Sequence, residues 1–425
     1  MGEPRLPTNP RPLTHKEKPL PNGRLRIGMV GHAFMGAAHS QAWRTVNHAF
    51  DLSAQVEMTA VCGRDPERAA AAAERLGWAD HLTDWRELIA RDDIDVVDIC
   101  TPGDSHAEIA IAALEAGKHV LCEKPLANSV AEARAMVAAA ERAREAGIRS
   151  ACGFNYRRVP AVALLHSLIA SGRLGEIRHV RAVYLQDWLT DPDFPLTWRL
   201  RREYAGSGAL GDIGAHIIDL ALYLTGSQFS GVCGLTETFV RSRPLPHAEP
   251  GGLTARGSLA GEHGEVTVDD ATLFLGRLDN GAVASFEATR FATGRKNALR
   301  LELNGSLGSA AFDLERLNEL EFFDATQPGA EQGFRRILVT EADHPYIAAW
   351  WPPGHILGYE HSFTHQARDL VAAIAAGKDP QPSFVEALQV QLVLDAVERS
   401  ARASTAWTQV PGAETPAAEN TPEQV

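Results

Sequence analysis

Three polar residues of this chain have the types and the spacing that acid–base chemistry needs. Lys124 directly follows Glu123 and an apolar stretch typical of a buried strand. Ligands of a parallel sheet bind at the carboxyl ends of its strands, so a lysine there is within reach of a bound ligand. Asp212 and His216 are four residues apart in a predicted helix and share one face. Such a pair can hold two neighbouring hydroxyl groups and pass a proton, but the spacing alone favours a capping aspartate and a core histidine.

A glycine-rich turn upstream of Lys124 predicts a nucleotide site. Its core is Gly31-x-Ala33-x-x-Gly36, with alanine where the usual fingerprint has its second glycine. That glycine lets the backbone approach a pyrophosphate, and alanine adds only one methyl group there. Alone, the match fits a plain strand–helix turn, but the predicted strands and helix around it favour a dinucleotide site. The candidate cofactor-binding residues are Gly31, Ala33, Phe34, Met35, Gly36, Gly63, Arg64, Thr101, Pro102, His106, Glu123 and Lys124.

The end of the second predicted strand leaves the choice between NAD and NADP open. Gly63 stands where an acidic residue would normally hold the ribose 2′-hydroxyl, and Arg64 follows it. An arginine there can bind a 2′-phosphate, which favours NADP. Alternatively, Arg64 stacks on the adenine while Asp65 reaches the ribose, as NAD would require.

The elements that must position these residues form two predicted domains. Strands alternate with helices up to residue 153, which is typical of a doubly wound parallel (Rossmann) sheet. The extended segments that follow predict an α+β domain with a large, mainly antiparallel open sheet. A helix is predicted at 212–224 between them. The extended segments are 177–188, 229–240, 264–275, 282–291, 297–304 and 308–313. We expect a flexible arm over 1–23, a dinucleotide-binding domain over 24–153, a substrate-binding and oligomerisation domain over 154–405, and a disordered tail over 406–425.

Composition excludes several classes of protein. The formal charge of −13 argues against nucleic acid as a partner, because phosphate backbones require a basic surface. No apolar run approaches the roughly 20 residues that cross a bilayer, so no membrane association is expected. The five cysteines have no metal-ligand spacing, which predicts free thiols, a cytoplasmic protein and no metal site.

Several motifs in fixed order resemble the Gfo/Idh/MocA oxidoreductase family. They are the glycine turn with His39 behind it, Glu123-Lys124-Pro125 and Gly211-Asp212-x-x-x-His216. Four further segments are similar to the levoglucosan dehydrogenase and inositol dehydrogenase branch, and these are Phe154–Arg158, Tyr184–Trp188, Leu196–Arg199 and Gly358–His361. The resemblance covers about residues 24–405.

The resemblance implies a role for each matching residue. Lys124 would lie near the reacting hydroxyl and the nicotinamide, and Asp212 and His216 would orient the substrate and relay the proton. Pro125 matches a proline often preceded by a cis bond. The candidate substrate contacts are Lys124, Tyr156, Gln186, Trp188, Arg199, Asp212 and His216. An arginine, an amide and aromatic rings suit a polyol, although the aromatic residues could equally be core residues and Arg199 a surface ion pair.

The implied activity is NAD(P)-dependent oxidation of a secondary hydroxyl of a sugar, anhydrosugar or cyclitol to a ketone. The departure from the family pattern is Gly63-Arg64, where the branch often has an acidic residue. The alternatives are a redox-neutral glycoside-modifying enzyme with tightly held NAD, a non-catalytic dinucleotide-sensing protein, and an imine or aldehyde reductase. The outer face of the large sheet is expected to be apolar and to need cover by another subunit. The resemblance implies that this subunit belongs to a homodimer or homotetramer.

Overall fold

The computed structural model describes residues 23–246 and 259–412. The predicted flexible arm, apart from Gly23, and residues 413–425 of the predicted tail lie outside the described residues.

The first part of the chain forms a six-stranded parallel sheet in the order β3-β2-β1-β4-β5-β6, with helices connecting its strands. The predicted Rossmann sheet is therefore confirmed. Its elements are β1 (Arg24–Val30), α1 (Phe34–Ala49), β2 (Gln55–Cys62), α2 (Pro66–Leu76), β3 (Asp80–Leu82), α3 (Trp85–Ala90), β4 (Val96–Ile99), α4 (His106–Glu115), β5 (His119–Cys122), α5 (Val130–Glu145) and β6 (Ser150–Cys152).

The second part forms a nine-stranded sheet in the order β16-β15-β14-β13-β7-β12-β11-β8-β17, and a separate ribbon of β9 and β10. Within the nine-stranded sheet, β7 and β12 pair in parallel and the other pairs are antiparallel, which confirms a large, mainly antiparallel sheet. The elements are α6 (Pro160–Ala170), β7 (Ile177–Leu185), α7 (Arg202–Ala205), α8 (Ala215–Thr225), β8 (Phe229–Glu237), β9 (Ser242–Pro246), β10 (Leu259–Glu265), β11 (Ala271–Leu278), β12 (Val283–Thr289), β13 (Ala298–Gly305), β14 (Gly308–Asp313), β15 (Glu319–Asp324), β16 (Arg335–Leu338), α9 (His361–Ala375), α10 (Phe384–Arg402) and β17 (Thr408–Gln409).

Local signals explain where several helices begin and end. Asp65 caps α2 by accepting a hydrogen bond from the main-chain N–H of Arg68, and Gly77 ends that helix in a left-handed conformation. Ser383 and Glu386 form a reciprocal capping box at the start of α10. These capping residues therefore explain both ends of α2 and the start of α10.

Helix α9 comes from the end of the chain but completes the hydrophobic core of the first sheet. Phe363 and Leu370 of α9 pack in one cluster with Leu25 of β1 and with Trp43 and Val46 of α1. The core beside the glycine turn is therefore built from two parts of the chain that are far apart in sequence.

The outer face of the nine-stranded sheet is only partly apolar. Strand register places Leu235 and Leu273, which are about half exposed, on the same face as Arg300 and Asp313. Arg300 and Asp313 form an ion pair of 2.9 Å. The predicted apolar outer face thus holds for the β8–β11 side and is wrong for the β13–β14 side.

Three predicted segments differ from the structure. The predicted strand at 264–275 contains the end of β10, the loop 266–270 and the start of β11. The predicted helix at 212–224 begins earlier, with a π-helical turn over Leu210–Gly214. Residues 406–412, predicted as part of a disordered tail, include β17, which pairs with β8. Within the described ranges, no helix combines the length and the apolar character that crossing a bilayer requires.

Candidate active site

A cavity of about 1200 Å³ runs from the glycine turn of the first sheet to α8. Every predicted site residue except Gly36 lines it. The predicted cofactor residues in its wall are Gly31, Ala33, Phe34, Met35, Gly63, Arg64, Thr101, Pro102, His106, Glu123 and Lys124. The predicted catalytic and substrate residues in the same wall are Lys124, Tyr156, Gln186, Trp188, Arg199, Asp212 and His216. The structure thus brings together residues from both predicted domains.

The glycine turn forms a cradle that only small residues permit. Gly31 has φ +96°, and a side chain there would lie 2.7 Å from the main-chain oxygen of Cys100. A side chain at Gly36 would lie 2.2 Å from the main-chain oxygen of Gly31, so Gly36 shapes the turn without lining the cavity. Helix α1 begins at Phe34 with no side-chain cap. Its first N–H groups are therefore available to an anion such as a pyrophosphate, which fits a dinucleotide.

The end of β2 is positively charged. His32 occupies the space beside Gly63, because a side chain at Gly63 would lie 2.3 Å from His32 Nε2. Arg64, Arg68 and Arg75 line this end of the cavity. Burial lowers the pKa of His32, and the charges of Arg75 and Arg68 lower it further. Sequence reasoning identified Arg64 but missed Arg68 and Arg75, whose seven-residue spacing in α2 places them on the same face of that helix.

His106 ties two loops of the cofactor end together. Its ring nitrogens lie 2.9 Å from the main-chain oxygen of Thr101 and 3.0 Å from that of Pro125. The Lys124–Pro125 peptide bond is cis, as the resemblance implied. The two hydrogen bonds of His106 therefore fix the loop after β4 to the turn after β5.

Asp212 lies between cations at the inner end of the cavity. Lys124 Nζ donates to the main-chain oxygen of Asp212 at 2.7 Å and lies 3.4 Å from its Oδ1, while Arg290 Nη1 lies 3.6 Å from its Oδ2. Burial alone would raise the pKa of Asp212. Lys124, Arg290 and Arg199 outweigh burial and hold the pKa of this carboxyl at about 2. Asp212 is therefore an ionised side-chain partner of Lys124 and not a helix cap.

The π-helical turn that carries Asp212 is held by Asp269. Its carboxylate accepts the main-chain N–H of Gly208 at 2.6 Å and that of Leu210 at 2.8 Å. Arg290 Nη2 donates to the main-chain oxygen of Asp269 at 3.0 Å. The loop 266–270, which was predicted as strand, thus anchors the start of the turn.

His216 is a buried, neutral imidazole in an aromatic environment. Its ring lies 4.5 Å from the ring of Tyr156 and 5.9 Å from that of Phe154. Burial lowers its pKa well below the usual value, and Lys124 adds to this effect. Its Nδ1 is buried and has no hydrogen-bond partner among residues 23–246 and 259–412. An uncharged imidazole that lines the cavity can accept a proton near neutral pH.

A chain of hydrogen bonds forms a polar wall of the cavity. Tyr156 and Tyr184 share a hydrogen bond of 2.7 Å between their hydroxyl groups, and Tyr184 donates to Asn297 Oδ1 at 2.8 Å. Gln186 Nε2 donates to the same oxygen, and Trp188 Nε1 donates to Gln186 Oε1, both at 2.8 Å. Tyr156 and Trp188 thus pack as core residues and also line the cavity.

Two arginines add to this wall. Arg199 packs over the ring of Trp198 at 4.3 Å and makes no ion pair within 4.0 Å in the part of the chain that the structure describes. Arg290 is fully buried, and its Nε and Nη1 have no hydrogen-bond partner within those same residues. Sequence reasoning missed Arg290, Asn297 and Tyr184. The parallel register of β12 with β7, which pairs Thr289 with Leu185, places Arg290 near the polar wall.

Comparisons with known proteins agree with this architecture. Residues 25–147 match the family model described as "Oxidoreductase family, NAD-binding Rossmann fold", and residues 162–311 match the "GFO/IDH/MocA C-terminal domain". Levoglucosan dehydrogenase of Pseudarthrobacter phenanthrenivorans is 44% identical over 392 residues, which cover 91% of this chain and 98% of that protein.

Solved structures give the same result. An oxidoreductase domain protein from Kribbella flavida is 60% identical to this chain and superposes on it with a TM-score of 0.87. The match covers 91% of this chain and 99% of that chain. A complex of levoglucosan dehydrogenase with NADH and levoglucosan has 42% identity and a TM-score of 0.85, with the same coverage. The chain therefore belongs to the Gfo/Idh/MocA oxidoreductase family, and its N-terminal part has the NAD-binding Rossmann fold of that family.

Proposed function

We propose that this protein is an NAD(P)-dependent dehydrogenase that oxidises a secondary hydroxyl of a sugar, anhydrosugar or cyclitol to a ketone. The observation that carries this proposal is the meeting of Lys124, Asp212 and His216 in the cavity whose other end is the glycine turn. The similarity to levoglucosan dehydrogenase supports an anhydrosugar as the first substrate to test.

The three residues divide the work of oxidation. A bound nicotinamide ring would supply the acceptor for the hydride that leaves the hydroxyl-bearing carbon. His216, which is neutral, accepts the hydroxyl proton. The ammonium group of Lys124 stabilises the negative charge that develops on the substrate oxygen, which becomes the carbonyl oxygen. Asp212 stays ionised and keeps Lys124 in place.

The polar wall suits a molecule with several hydroxyl groups. The amides of Gln186 and Asn297 and the guanidinium of Arg199 supply acceptors and donors, and the ring of Trp188 offers an apolar surface to a sugar face. We infer that these side chains hold the hydroxyl groups that do not react.

For the cofactor, we infer that NADP is accepted in addition to NAD. Arg64, Arg68 and Arg75 provide the positive charge that a 2′-phosphate requires, and an acid at position 63 would have to displace His32. The levoglucosan dehydrogenase complexes contain NADH, which supports NAD.

The variant R64A tests the cofactor proposal. Loss of a charge-assisted contact costs about 1.5–3 kcal/mol, so KM for NADP should rise about 10- to 100-fold while KM for NAD changes little. An equal rise for both cofactors would mean that Arg64 stacks on the adenine. R86A, which removes an exposed arginine of α3 that does not line the cavity, is the matched control.

The central experiment is a panel of anhydrosugars, pyranoses and cyclitols with NAD and NADP, followed by the absorbance of the reduced nicotinamide. K124M should lower kcat about 10²- to 10⁴-fold on the best substrate and leave dinucleotide binding nearly unchanged. K296M removes another lysine of the same cavity that pairs with Asp187 and should stay near wild type. Near-normal turnover of K124M would refute the assignment.

The same panel separates the other functions. Cofactor that co-purifies, together with glycoside cleavage without added NAD(P), would indicate the redox-neutral enzyme. Dinucleotide binding without turnover of any substrate would indicate a sensor, and turnover of imines or simple aldehydes alone would indicate a reductase.

We further infer a homodimer or homotetramer in the cytoplasm. The exposed leucines on the β8–β11 side of the large sheet support a subunit contact there. The five cysteines are unpaired, which supports a reducing compartment.

A further inference from the structure

His39 connects the glycine-turn helix to the residue before Lys124. It lies in α1 and is 2% exposed. Its Nδ1 lies 3.0 Å from both carboxylate oxygens of Asp98, and its Nε2 lies 3.0 Å from Oε1 of Glu123. Both ring nitrogens therefore face carboxylates, and neither takes part in the reaction proposed above.

The arrangement is a buried cation between two acids. Burial alone would lower the pKa of His39, but the charges and hydrogen bonds of Asp98 and Cys100 together outweigh burial and raise this pKa well above the usual value. Asp98, His39 and Glu123 thus form a hydrogen-bonded bridge, with Asp98 at its outer end and Glu123 at its inner end. Trp43 Nε1 donates to Asp98 Oδ2 at 2.7 Å, which fixes the outer end of the bridge to α1. A charged imidazole donates from both nitrogens, so it links Asp98 and Glu123 rigidly.

A bound metal would be the other explanation for this cluster. Ligand atoms of His39, Asp98 and Cys100 lie within 4.8 Å of one another. The contacts of His39 with both acids, however, are 3.0 Å long, which is the usual length of an N–H···O hydrogen bond, and the hydrogen bond from Trp43 occupies Asp98 as well. These contacts favour a hydrogen-bonded bridge.

The inner end of the bridge reaches the main chain of the proposed catalytic lysine. Glu123 Oε2 accepts the main-chain N–H of Lys124 at 3.1 Å. Glu123 is 3% exposed and packs against Gly153, where a side chain would lie 2.5 Å from Glu123 Oε1. Because Gly153 closes one side, the contact with His39 decides how the Glu123 carboxylate is oriented.

We propose that His39 is a positioning residue that orients Glu123 and thereby holds the main chain of Lys124 where its ammonium group reaches Asp212. This inference rests on the proposed function, because it assigns His39 an effect on the turnover that Lys124 supports. The proposal gives a function to the buried charge of His39, which packing of the core alone does not require.

Two substitutions separate positioning from stability. The amide nitrogen of glutamine matches the place of Nε2, so H39Q can still donate to Glu123, whereas the shorter asparagine of H39N reaches only the side of Asp98. Both variants lose the buried cation, so both should be destabilised to a similar degree in urea unfolding. D98N weakens the contact between His39 Nδ1 and residue 98 and leaves Glu123 in contact with His39.

The experiment measures kcat, KM and dinucleotide binding of the full-length variants on the best substrate of the panel. H39N should lose about 10- to 100-fold in kcat with cofactor binding within about 3-fold, because small misplacements of a catalytic group have effects of this size. H39Q and D98N should keep most of the wild-type kcat. Equal losses in H39N and H39Q, or a wild-type kcat in H39N, would overturn the proposal.

A double variant distinguishes this proposal from the proposed function. Adding H39N to K124M should not reduce the residual turnover further, because His39 acts through Lys124. A further 10-fold loss would overturn the proposal even if the dehydrogenase activity is real. Absence of wild-type turnover on the whole panel would instead refute the proposed function. Where H39N does not fold, E123Q replaces it, and a wild-type kcat in E123Q overturns the proposal as well.

Discussion

The buried ion pair between Arg157 and Asp219 provides the sharpest test of how this fold is held together. Arg157 lies in the 3₁₀ turn Asn155–Arg158 and is 4% exposed, and Asp219 lies in α8 and is 1% exposed. The guanidinium donates to Asp219 through Nη2 at 2.6 Å and through Nε at 2.9 Å, and to Glu386 of α10 at 2.7 Å. One side chain therefore joins the 3₁₀ turn, α8 and α10.

The substitution R157M keeps most of the side-chain volume but leaves Asp219 buried without its partner. Burial already raises the pKa of Asp219, and Arg157 opposes that effect. Breaking a buried pair by removing one partner costs about 3–5 kcal/mol, because an uncompensated charge stays in the interior. R157M/D219N removes the lone charge and should recover about half of that loss.

Urea unfolding at pH 7 measures this cost, and the chain offers a matched control. Arg399 and Asp395 form an ion pair of 2.7 Å on the surface of α10, with side chains 45% and 41% exposed. R399M should lose only about 0.3–0.5 kcal/mol, because solvent screens an exposed pair. A loss in R157M of the same small size would refute the argument that burial, and not distance, decides the contribution of this pair.

Two further predictions concern the site. Oxidation requires neutral His216, and burial and Lys124 lower the pKa of this residue, so kcat should stay level as the pH falls through 6.5 and should decrease only at lower pH. In K124M, which removes the charge of Lys124, the decrease in kcat should move to higher pH. A decrease centred at pH 6.5 or above in the wild type would contradict the argument. A side chain at Gly208 would lie 1.7 Å from the main-chain oxygen of Asp269, so G208A should lower the free energy of unfolding by about 1–3 kcal/mol. G329A, at a position with open space, should change it by less than about 0.5 kcal/mol in the same urea titration.

Local patterns were sufficient to predict much of the fold. The alternation of strands and helices predicted the parallel sheet, and the spacing of Gly31, Ala33 and Gly36 predicted the cradle at the end of β1. The position of Lys124 after a buried strand predicted its place in the cavity. These features depend on hydrophobic periodicity and on steric limits that a few neighbouring residues determine.

Other features depend on contacts between distant residues. Arg290 lies in the site only because β12 pairs in parallel with β7, and nothing near Arg290 in the sequence indicates that pairing. The π-helical turn before His216 depends on Asp269, which accepts N–H groups some 60 residues away. The charged part of the outer face depends on strand register, which places Arg300 on the same face as Leu273 although two strands separate them.

The contribution of α9 to the first core has a consequence for how the chain folds during synthesis. The strands of the Rossmann sheet are complete at Cys152, but Phe363 and Leu370, which cover Leu25 and Trp43, are made roughly 200 residues later. At about 5–20 residues per second, that interval lasts about 10–40 s. An apolar surface beside the glycine turn therefore remains open while the ribosome translates the large sheet. The nucleotide-binding half should therefore reach its final packing only after α9 has left the ribosome.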